Sequence, residues 1–434
     1  MSALTKTENR KTESYKLFLF VALFAILLVV RDIMFVSVSK YVFVALALAF
    51  FVLSKEATVI YMLCFVFPLV CGLPGNYIFP IALVVLIFKN AKGLKFQQVI
   101  FMAVFILAEL LAAINYQTPM WSEIIGYLSA LCIIIFLLYG NQSVHYDRAC
   151  GMFLLSCTLL CAIICVSTLR TAPSNWLELF AKGWFRFGEE HISDAAEIRI
   201  SLNANALGYY SLLGIVFGFV AQWKAKGMLK VIIICMMVFD AFVGIMSVSR
   251  SFIIFALLFG VLCVLSNTKG YKQVITTAFV VLVVALVLGV MVINNEQLMS
   301  GIVERFKGDD IEGANGRFEI FQMYTDAFFS KARFVLLGTG VTDYKNQTGV
   351  YNSFHNGIQQ VIVSYGIILG VALIAVLFYP VFKSATRNKV RFLYILPMLA
   401  VVLFTQTIQF VYPTMLMLPI IPAYYAIKSG EKKA

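Results

Sequence analysis

The sequence predicts an all-α, polytopic membrane protein with about 12–14 transmembrane helices. Two observations carry this prediction. The chain is 61% hydrophobic and only 13% charged, whereas soluble domains carry about 25% charged residues. Apolar runs long enough to cross a ~30 Å hydrocarbon core also recur along the whole length.

Fourteen apolar segments can be delimited, or twelve if the short third and fourth do not cross the membrane. They lie at about residues 17–30, 36–54, 57–72, 77–88, 97–115, 121–140, 150–169, 204–222, 229–247, 251–267, 273–293, 355–382, 392–410 and 412–427. The first follows a polar arm and lacks a small-residue cleavage signature, so we do not expect a cleaved signal peptide. The nine cysteines lie in or beside apolar segments, which favours core packing over disulfides.

The distribution of basic residues predicts which side of the membrane each loop faces. With the N-terminal arm placed in the cytoplasm, the inner ends and inner loops hold 21 of the 34 Lys and Arg residues, and the short outer loops hold 3. Short cytoplasmic loops of helical membrane proteins carry such an excess. Both termini are therefore predicted to be cytoplasmic. The net charge of +12 then reflects membrane orientation rather than nucleic-acid binding.

This topology divides the chain into five regions. They are N-terminal transmembrane helices with a cytoplasmic arm (1–169), a first long extracytoplasmic loop (170–203), central transmembrane helices (204–293), a second long extracytoplasmic loop (294–354) and C-terminal transmembrane helices (355–434). The first loop interleaves aromatic and charged residues, which predicts that it lies partly on the membrane surface. The second is too long for a plain connection, and its apolar runs predict a helix or two.

A histidine marks the point where the second loop becomes the twelfth segment. His355 is followed by Asn356 and Gln359. If the helix begins at His355, the spacing of four places His355 and Gln359 on one face. Such a histidine can act as a general base near neutral pH. An interfacial histidine bonded to a headgroup is the alternative, and His355 taken alone favours it.

Three arginines change that balance. Arg199, Arg250 and Arg317 are all predicted to lie outside, against the positive-inside trend. Guanidinium groups bind phosphates through forked, charge-assisted hydrogen bonds. Any one of them is as well explained by a lipid headgroup or by pairing with Glu197 or Glu319. Three on one face, together with a histidine, favour an anionic ligand.

Acidic groups offer weaker candidates. Glu109 and Asp240 lie in the outer halves of apolar segments, where ionisable groups are costly and often functional. They could steady an arginine or line a cavity, and interhelical hydrogen bonding explains them equally well. Asp32, beside Arg31, is a lesser candidate. The acidic run at 309–312 could hold Mg²⁺, but a solvated turn is the commoner case, so no required metal is predicted.

The order of these motifs resembles the superfamily of O-antigen ligases and Wzy-type polysaccharide polymerases. The matching residues are Gly316-Arg317, then Leu337-Gly338-Thr339-Gly340, then His355-Asn356 opening a helix that contains Gly366 and Gly370. Upstream, Arg199 precedes an Asn205-x-x-Gly208 helix start, and Ser249-Arg250-Ser251 resembles a Ser-Arg turn of the family. The resemblance covers residues 199–370. Phe321 stands where many members have tryptophan. Gly366 and Gly370 by themselves form a GxxxG, which is typical of close helix packing.

The resemblance implies a GT-C-like fold and a metal-independent, inverting glycosyltransferase without a cofactor. Its implied partners are undecaprenyl-diphosphate-linked oligosaccharides as donor and acceptor, the lipid bilayer and a chain-length regulator protein, with no nucleic acid. The implied location is the cell's inner (cytoplasmic) membrane, with the reaction at its outer face. Catalytic roles are expected for His355, Arg317 and Arg199. Substrate-binding roles are expected for Arg250, Asn356, Gln359 and Asn205.

Three functions remain open at this point. A polymerase joins repeat units, whereas a ligase transfers finished polymer to a final acceptor such as lipid A-core, and the motifs do not separate the two. We favour a polymerase because every block-wise polysaccharide pathway requires one. A lipid-linked oligosaccharide flippase is the less favoured alternative, since it would place its charges along an inner cavity between helices joined by short loops.

Overall fold

The computed structural model describes residues 3–116, 119–182, 184–188, 200, 202–266, 300, 316–352, 354–386, 391–404 and 418–429. Every regular element within these ranges is helical. The α-helices are α1 (Ala3–Leu28), α2 (Lys40–Leu53), α3 (Glu56–Val66), α4 (Gly75–Lys89), α5 (Phe96–Ala113), α6 (Trp121–Tyr139), α7 (Tyr146–Thr171), α8 (Trp176–Ala181), α9 (Ala204–Ala221), α10 (Met228–Met246), α11 (Arg250–Ser266), α12 (Arg317–Phe329), α13 (Ala332–Leu337), α14 (Tyr344–Thr348), α15 (Gly357–Ala385), α16 (Arg391–Phe404) and α17 (Ile420–Lys428). A π-turn (Val29–Ile33) follows α1, and 3₁₀ turns follow α3 (Phe67–Gly72) and α4 (Ala91–Gly93).

Within the described ranges, six helices are long and apolar enough to cross a membrane, namely α5, α6, α7, α9, α10 and α15. Further apolar helices, α2, α3 with its 3₁₀ extension, α4 and α11, are shorter. These helices support the predicted polytopic helical membrane protein. The apolar windows of α6 and α9 are 78% buried, whereas that of α10 is 28% buried. Hence α6 and α9 lie at the centre, and α10 presents an apolar face of the kind that lipid covers.

Helix α9 packs against both α7 and α10. Its contact with α10 depends on two glycines. A Cβ placed on Gly214 would overlap the Asp240 carboxylate, and one on Gly218 would lie 2.5 Å from Met237. Small residues allow such close approach where apolar helices associate by packing rather than by exclusion of water. All nine cysteines are free thiols.

The polar N-terminal arm is helical. Helix α1 begins at Ala3, so the arm continues into the first apolar segment as one helix. This helix is fixed to α3, because Glu13 accepts a hydrogen bond from Thr58 at 2.8 Å and also pairs with Lys16 at 2.9 Å. The predicted segment at 273–293 lies outside the described residues.

Helix α15 is interrupted at Gly366, which has φ +75° and ψ 172°. A Cβ at this position would lie 2.6 Å from the Leu336 carbonyl oxygen of α13. Gly366 therefore does permit close packing, but its partner is the short loop helix α13, and the regular helical geometry of a GxxxG is lost. Gly366 breaks the helix, and the backbone that approaches the break belongs to the second long loop.

The second loop carries α12, α13 and α14, more helices than predicted, and has a core of its own. This core consists of Tyr324, Phe328, Phe334, Tyr344, Phe354 and Val363. Val363 belongs to α15, so the loop core continues into the helical bundle. The loop is thus a packed layer on the end of the bundle that the charge distribution predicts to face away from the cytoplasm, called here the predicted outer end.

Candidate functional site

The polar residues that follow His355 build the amino end of α15. Asn356 is the N-cap, and its side-chain oxygen accepts the Gln359 N–H at 3.0 Å. His355 therefore precedes the helix, and the prediction that His355 and Gln359 share a helix face is wrong. The Gln359 amide donates to the Phe321 carbonyl at 2.6 Å and to Thr325 Oγ1 at 3.1 Å, which ties α15 to α12.

The position of His355 is set by the aromatic core of the second loop. The preceding residue, Phe354, is 1% exposed and stacks on Tyr324 with 3.7 Å between ring centroids. Tyr324 Oη donates to the carbonyls of Val350 at 3.0 Å and Asn352 at 2.5 Å. These contacts hold the segment that leads into His355 against α12. His355 itself is half-buried.

Arg317 is the first residue of α12. Gly316 before it has φ +70°, a left-handed conformation that glycine adopts without steric cost. Arg317 is half-buried. Among the described residues no carboxylate lies within ion-pairing distance of it, Glu319 included. A cation at a helix N-terminus faces the positive end of the helix dipole, and an anion bound there would be favoured by both.

Arg250 opens α11 directly after the turn that ends α10. Val248 in this turn has φ +47°, which is a strained conformation for a β-branched residue, at about 1–3 kcal/mol. Ser249 Oγ accepts the Phe252 N–H at 3.4 Å. A Cβ on Gly208 of α9 would lie 2.6 Å from Ser249 Cβ. The turn that presents Arg250 is therefore seated on the first turns of α9.

Arg250, Arg317 and His355 form one electropositive cluster. Burial, followed by the charge of Arg250, lowers the pKa of Arg317. Burial, followed by the charge of Arg317, lowers the pKa of His355 below its ordinary 6.5. Arg317 thus lies within electrostatic reach of both other groups. Such a cluster attracts an anion, and it keeps the imidazole neutral and able to accept a proton near neutral pH.

Arg199 lies outside the described residues, but the residue after it is fixed. The Ile200 N–H donates to Asp32 Oδ1 at 3.1 Å. Asp32 pairs with Arg31 at 2.8 Å, and Arg31 Nη1 donates to the Gly72 carbonyl at 2.6 Å. Arg31 and Asp32 are 5% and 2% exposed. Asp32 is therefore a buried anchor for the segment that enters α9.

Asn205 is exposed in the first turn of α9. The cap of this helix is Asn203, whose side-chain oxygen accepts the Ala206 N–H at 2.8 Å. Asn205 is therefore not needed as a helix cap. Its amide lies on the same end of α9 as the turn that carries Arg250.

The Leu337–Gly340 motif joins the second loop to the break in α15. The N–H groups of Thr339 and Gly340 donate to the carbonyls of Val363 and Ser364, each at 2.9 Å. These carbonyls lie just ahead of the interruption, where regular helical partners are lost. Because backbone carbonyls freed by a break in a helix require new partners, we call this motif, residues 337–340, the latch.

Glu109 of α5 holds the other side of the latch. Both of its carboxylate oxygens lie 3.3 Å from the Val341 backbone nitrogen, and Tyr116 Oη donates to Oε1 at 2.5 Å. A Cβ on Gly340 would overlap Tyr116 Oη. Of the alternatives for Glu109, the structure supports hydrogen bonding, which here links a helix to a loop.

Asp240 of α10 is also held by hydrogen bonding between helices. It is fully buried, and its Oδ2 accepts from Thr158 Oγ1 of α7 at 3.0 Å. It also lies against Gly214 of α9. Asp240 therefore joins α7, α9 and α10.

Comparisons with models of protein families, with curated proteins and with solved structures find no match to this chain. The arginine–histidine cluster and the order of the motifs are therefore the features that indicate the chemistry of the site. The acidic run at 309–312 lies outside the described residues.

Arg186, in the first loop, was not predicted to be a site residue. The Phe187 N–H donates to the Met246 carbonyl at 3.2 Å, four residues before Arg250. Phe185 and Phe187 are buried, and Arg186 between them is half-buried. The first loop thus brings Arg186 to the same end of α10. A basic residue flanked by two aromatic residues was the signal in the sequence, but an amphipathic surface loop explained it equally well.

Proposed function

We propose that this protein is a Wzy-like polymerase of polysaccharide repeat units. It transfers undecaprenyl-diphosphate-linked glycan onto the non-reducing sugar of another lipid-linked repeat unit, at the outer face of the cytoplasmic membrane. The observation that carries the proposal is the cluster of Arg250, Arg317 and His355. The order of the motifs, which resembles the polymerase and ligase superfamily, supplies the substrate class and the GT-C-like fold.

The arginines act on the leaving group. A lipid diphosphate departs with growing negative charge as its bond to the anomeric carbon breaks, and preorganised cations stabilise that charge. Arg317 provides a guanidinium beside the amino end of α12. Arg250 approaches it from α11, and Arg199 is proposed to complete the diphosphate site. Because Arg317 has no carboxylate partner among the described residues, an anionic ligand would displace none of those carboxylates.

His355 acts on the acceptor. The attacking sugar hydroxyl forms a bond to the anomeric carbon while the bond from that carbon to the diphosphate oxygen breaks. The hydroxyl proton passes to His355, and the diphosphate leaves with the electron pair. A single displacement of this kind inverts the anomeric carbon. The lowered pKa of His355 keeps the imidazole unprotonated and ready for this role.

A His355→Ala variant tests the base. At equal protein level in cells, the polymer length distribution should collapse toward single repeats. His145→Ala is the matched control, since His145 is an exposed histidine at the other end of the bundle and should leave long chains intact. Normal long chains from His355→Ala would refute the catalytic role.

An Arg317→Lys variant tests forked recognition of the diphosphate. Lysine keeps the charge but offers no planar pair of donors, so extension of lipid-linked repeats should fall strongly. Arg333→Lys is the control from the same loop, because Arg333 Nη2 already donates to Gln347 Oε1 at 2.6 Å. Full activity of Arg317→Lys would argue against bidentate binding.

Two further measurements separate the alternatives. A strain that lacks a polymerase keeps single repeats attached to the final acceptor, whereas a strain that lacks a ligase accumulates long lipid-linked polymer. Purified protein that lengthens lipid-linked repeats in detergent, without a second compartment, is an enzyme. A flippase would leave them unchanged.

A further inference from the structure

A groove runs between α1 and α7 at the end of the bundle opposite the candidate site. Both helices pack on α3 rather than closely on each other. The groove has a volume of about 270 Å³. Its apolar lining is Leu17, Phe18 and Val21 of α1 with Met152 and Leu155 of α7. Phe18 is 68% exposed, so the groove opens sideways to the surface that faces the bilayer.

Two polar residues stand at one end of this groove, Ser14 and Arg148. Arg148, Met152 and Leu155 follow helical spacing along one face of α7, and Ser14, Leu17 and Val21 do so along α1. The polar pair therefore lies at the same level on the two helices. Below it the groove is apolar, so its lining divides into a polar mouth and an apolar channel.

Arg148 is not paired with the acidic residues at this end of α1 and α7. In the described part of the protein, the Arg148 side chain makes no hydrogen bond or ion pair. Asp147 beside it pairs with Lys224 at 3.2 Å. Glu13, on α1, pairs with Lys16 at 2.9 Å. A half-buried guanidinium without a protein partner favours an anion from outside the chain.

The position of this mouth limits the choice of anion. The charge distribution places the starts of α1 and α7 at the cytoplasmic face. Basic pockets between transmembrane helices on that side bind anionic lipid headgroups. A lone snorkelling arginine would need no groove, whereas here an apolar channel continues from the guanidinium between two helices.

We propose that this groove binds an anionic phospholipid of the inner leaflet. The phosphate contacts the Arg148 guanidinium with Ser14 Oγ as a second donor, and one acyl chain lies along Leu17 and Met152. The volume is near the lower limit of about 300 Å³ for small-molecule pockets, so it accommodates part of one chain while the rest of the lipid stays in the bilayer. This site is independent of the proposed glycosyl transfer.

The test is native mass spectrometry of the full-length protein released from nanodiscs of equal phosphatidylglycerol and phosphatidylcholine. Wild-type protein should retain phosphatidylglycerol in preference. Arg148→Gln should weaken that retention roughly tenfold, the effect of losing one charge-assisted contact. Met152→Trp, which fills the channel, should reduce binding of both lipids. Lys226→Gln removes an exposed basic residue from the same face, outside the groove, and should change nothing.

Three results would overturn the proposal. Equal retention by wild type, Arg148→Gln and Met152→Trp would show that the lipid does not occupy the groove. Equal retention of the two lipids by wild type would show that the headgroup charge is not recognised. Displacement by added undecaprenyl phosphate, but not by phosphatidylglycerol, would assign the groove to the carrier lipid instead. None of these readouts involves polymer synthesis, so their failure leaves the proposed polymerase untouched.

Discussion

Replacing Gly338 by alanine tests the latch between the second loop and α15. Gly338 has φ +77° and ψ −175°, a region of backbone space that is essentially restricted to glycine. A Cβ at this position would overlap the carbonyl of Ser364. That atom belongs to the backbone of α15 and cannot rotate away as a side chain can. Alanine must therefore push the loop and the helix apart.

Two contributions set the size of the effect. The conformation itself costs an alanine about 1–3 kcal/mol. Separation of the two backbones weakens the hydrogen bonds donated by Thr339 and Gly340, which contribute about 0.5–1.5 kcal/mol each. Gly338→Ala should therefore lower the free energy of unfolding by about 2–6 kcal/mol. Because the latch also fixes the loop that carries Arg317 and His355, a shift of ~1 Å there should reduce turnover by about a hundredfold.

Gly349→Ala is the matched control. Gly349 has a similar φ of +74°, but a Cβ on it would meet nothing within 4 Å, so only the conformational cost of about 1–2 kcal/mol remains. Thermal unfolding in detergent can be followed with a thiol-reactive dye, since most cysteines are buried, and turnover by extension of lipid-linked repeats. If Gly338→Ala has the same melting temperature and turnover as Gly349→Ala, residues 337–340 do not hold the loop to α15.

Three further predictions concern the site and the residues that support it. Activity should persist below pH 6.5, the ordinary pKa of histidine, and should be lost as the pH falls through the lowered pKa of His355. Arg317→Gln removes the charge that lowers this pKa, so the acid limb of the pH–rate profile should move to higher pH. An unmoved limb would show that the limb does not report the protonation of His355 beside Arg317. Glu109→Leu leaves the buried Val341 N–H without its acceptor and should lower the free energy of unfolding by about 1–3 kcal/mol. Glu109→Gln retains an acceptor and should be more stable. Equal melting temperatures of the two variants would show that Glu109 does not hold the loop through this hydrogen bond. Asp32→Asn leaves the buried Arg31 without its carboxylate partner and should lower the free energy of unfolding by about 3–5 kcal/mol. Adding Arg31→Met should restore part of this loss. A double variant as unstable as Asp32→Asn would count against a stabilising ion pair.

Hydropathy located the central helices well. Segments predicted at 121–140, 204–222 and 229–247 correspond to α6 (Trp121–Tyr139), α9 (Ala204–Ala221) and α10 (Met228–Met246). Each apolar run ends where polar or turn-forming residues interrupt it, so composition marks the boundary. The helix in the polar N-terminal arm was not predicted, although its Lys and Glu residues are good helix formers. A helix that extends beyond the membrane leaves no signal in hydropathy.

How the site residues come together was harder to predict from the sequence. Sidedness placed Arg250, Arg317 and His355 on one face, but a face is far larger than a binding site. Their approach to one another depends on how the second loop folds onto the end of the helical bundle. Glu109 shows the same limit, since its partner Val341 is 232 residues away in the chain. The cost of an acid within an apolar segment indicates that a partner exists, and only the packed structure identifies it.

The glycines of the second loop and α15 explain how a polar site can rest on an apolar bundle. A transmembrane helix cannot be interrupted unless its freed carbonyls gain new donors. The break at Gly366 meets this requirement because the latch enters from the loop, and the latch can enter because Gly338 and Gly340 have no side chains to block it. The glycines therefore set the backbone geometry, while Arg317 and His355 are the residues proposed to supply the charge and the base. Substitution of the first group should change stability and turnover together, whereas substitution of the second should change turnover and its pH dependence at nearly constant stability.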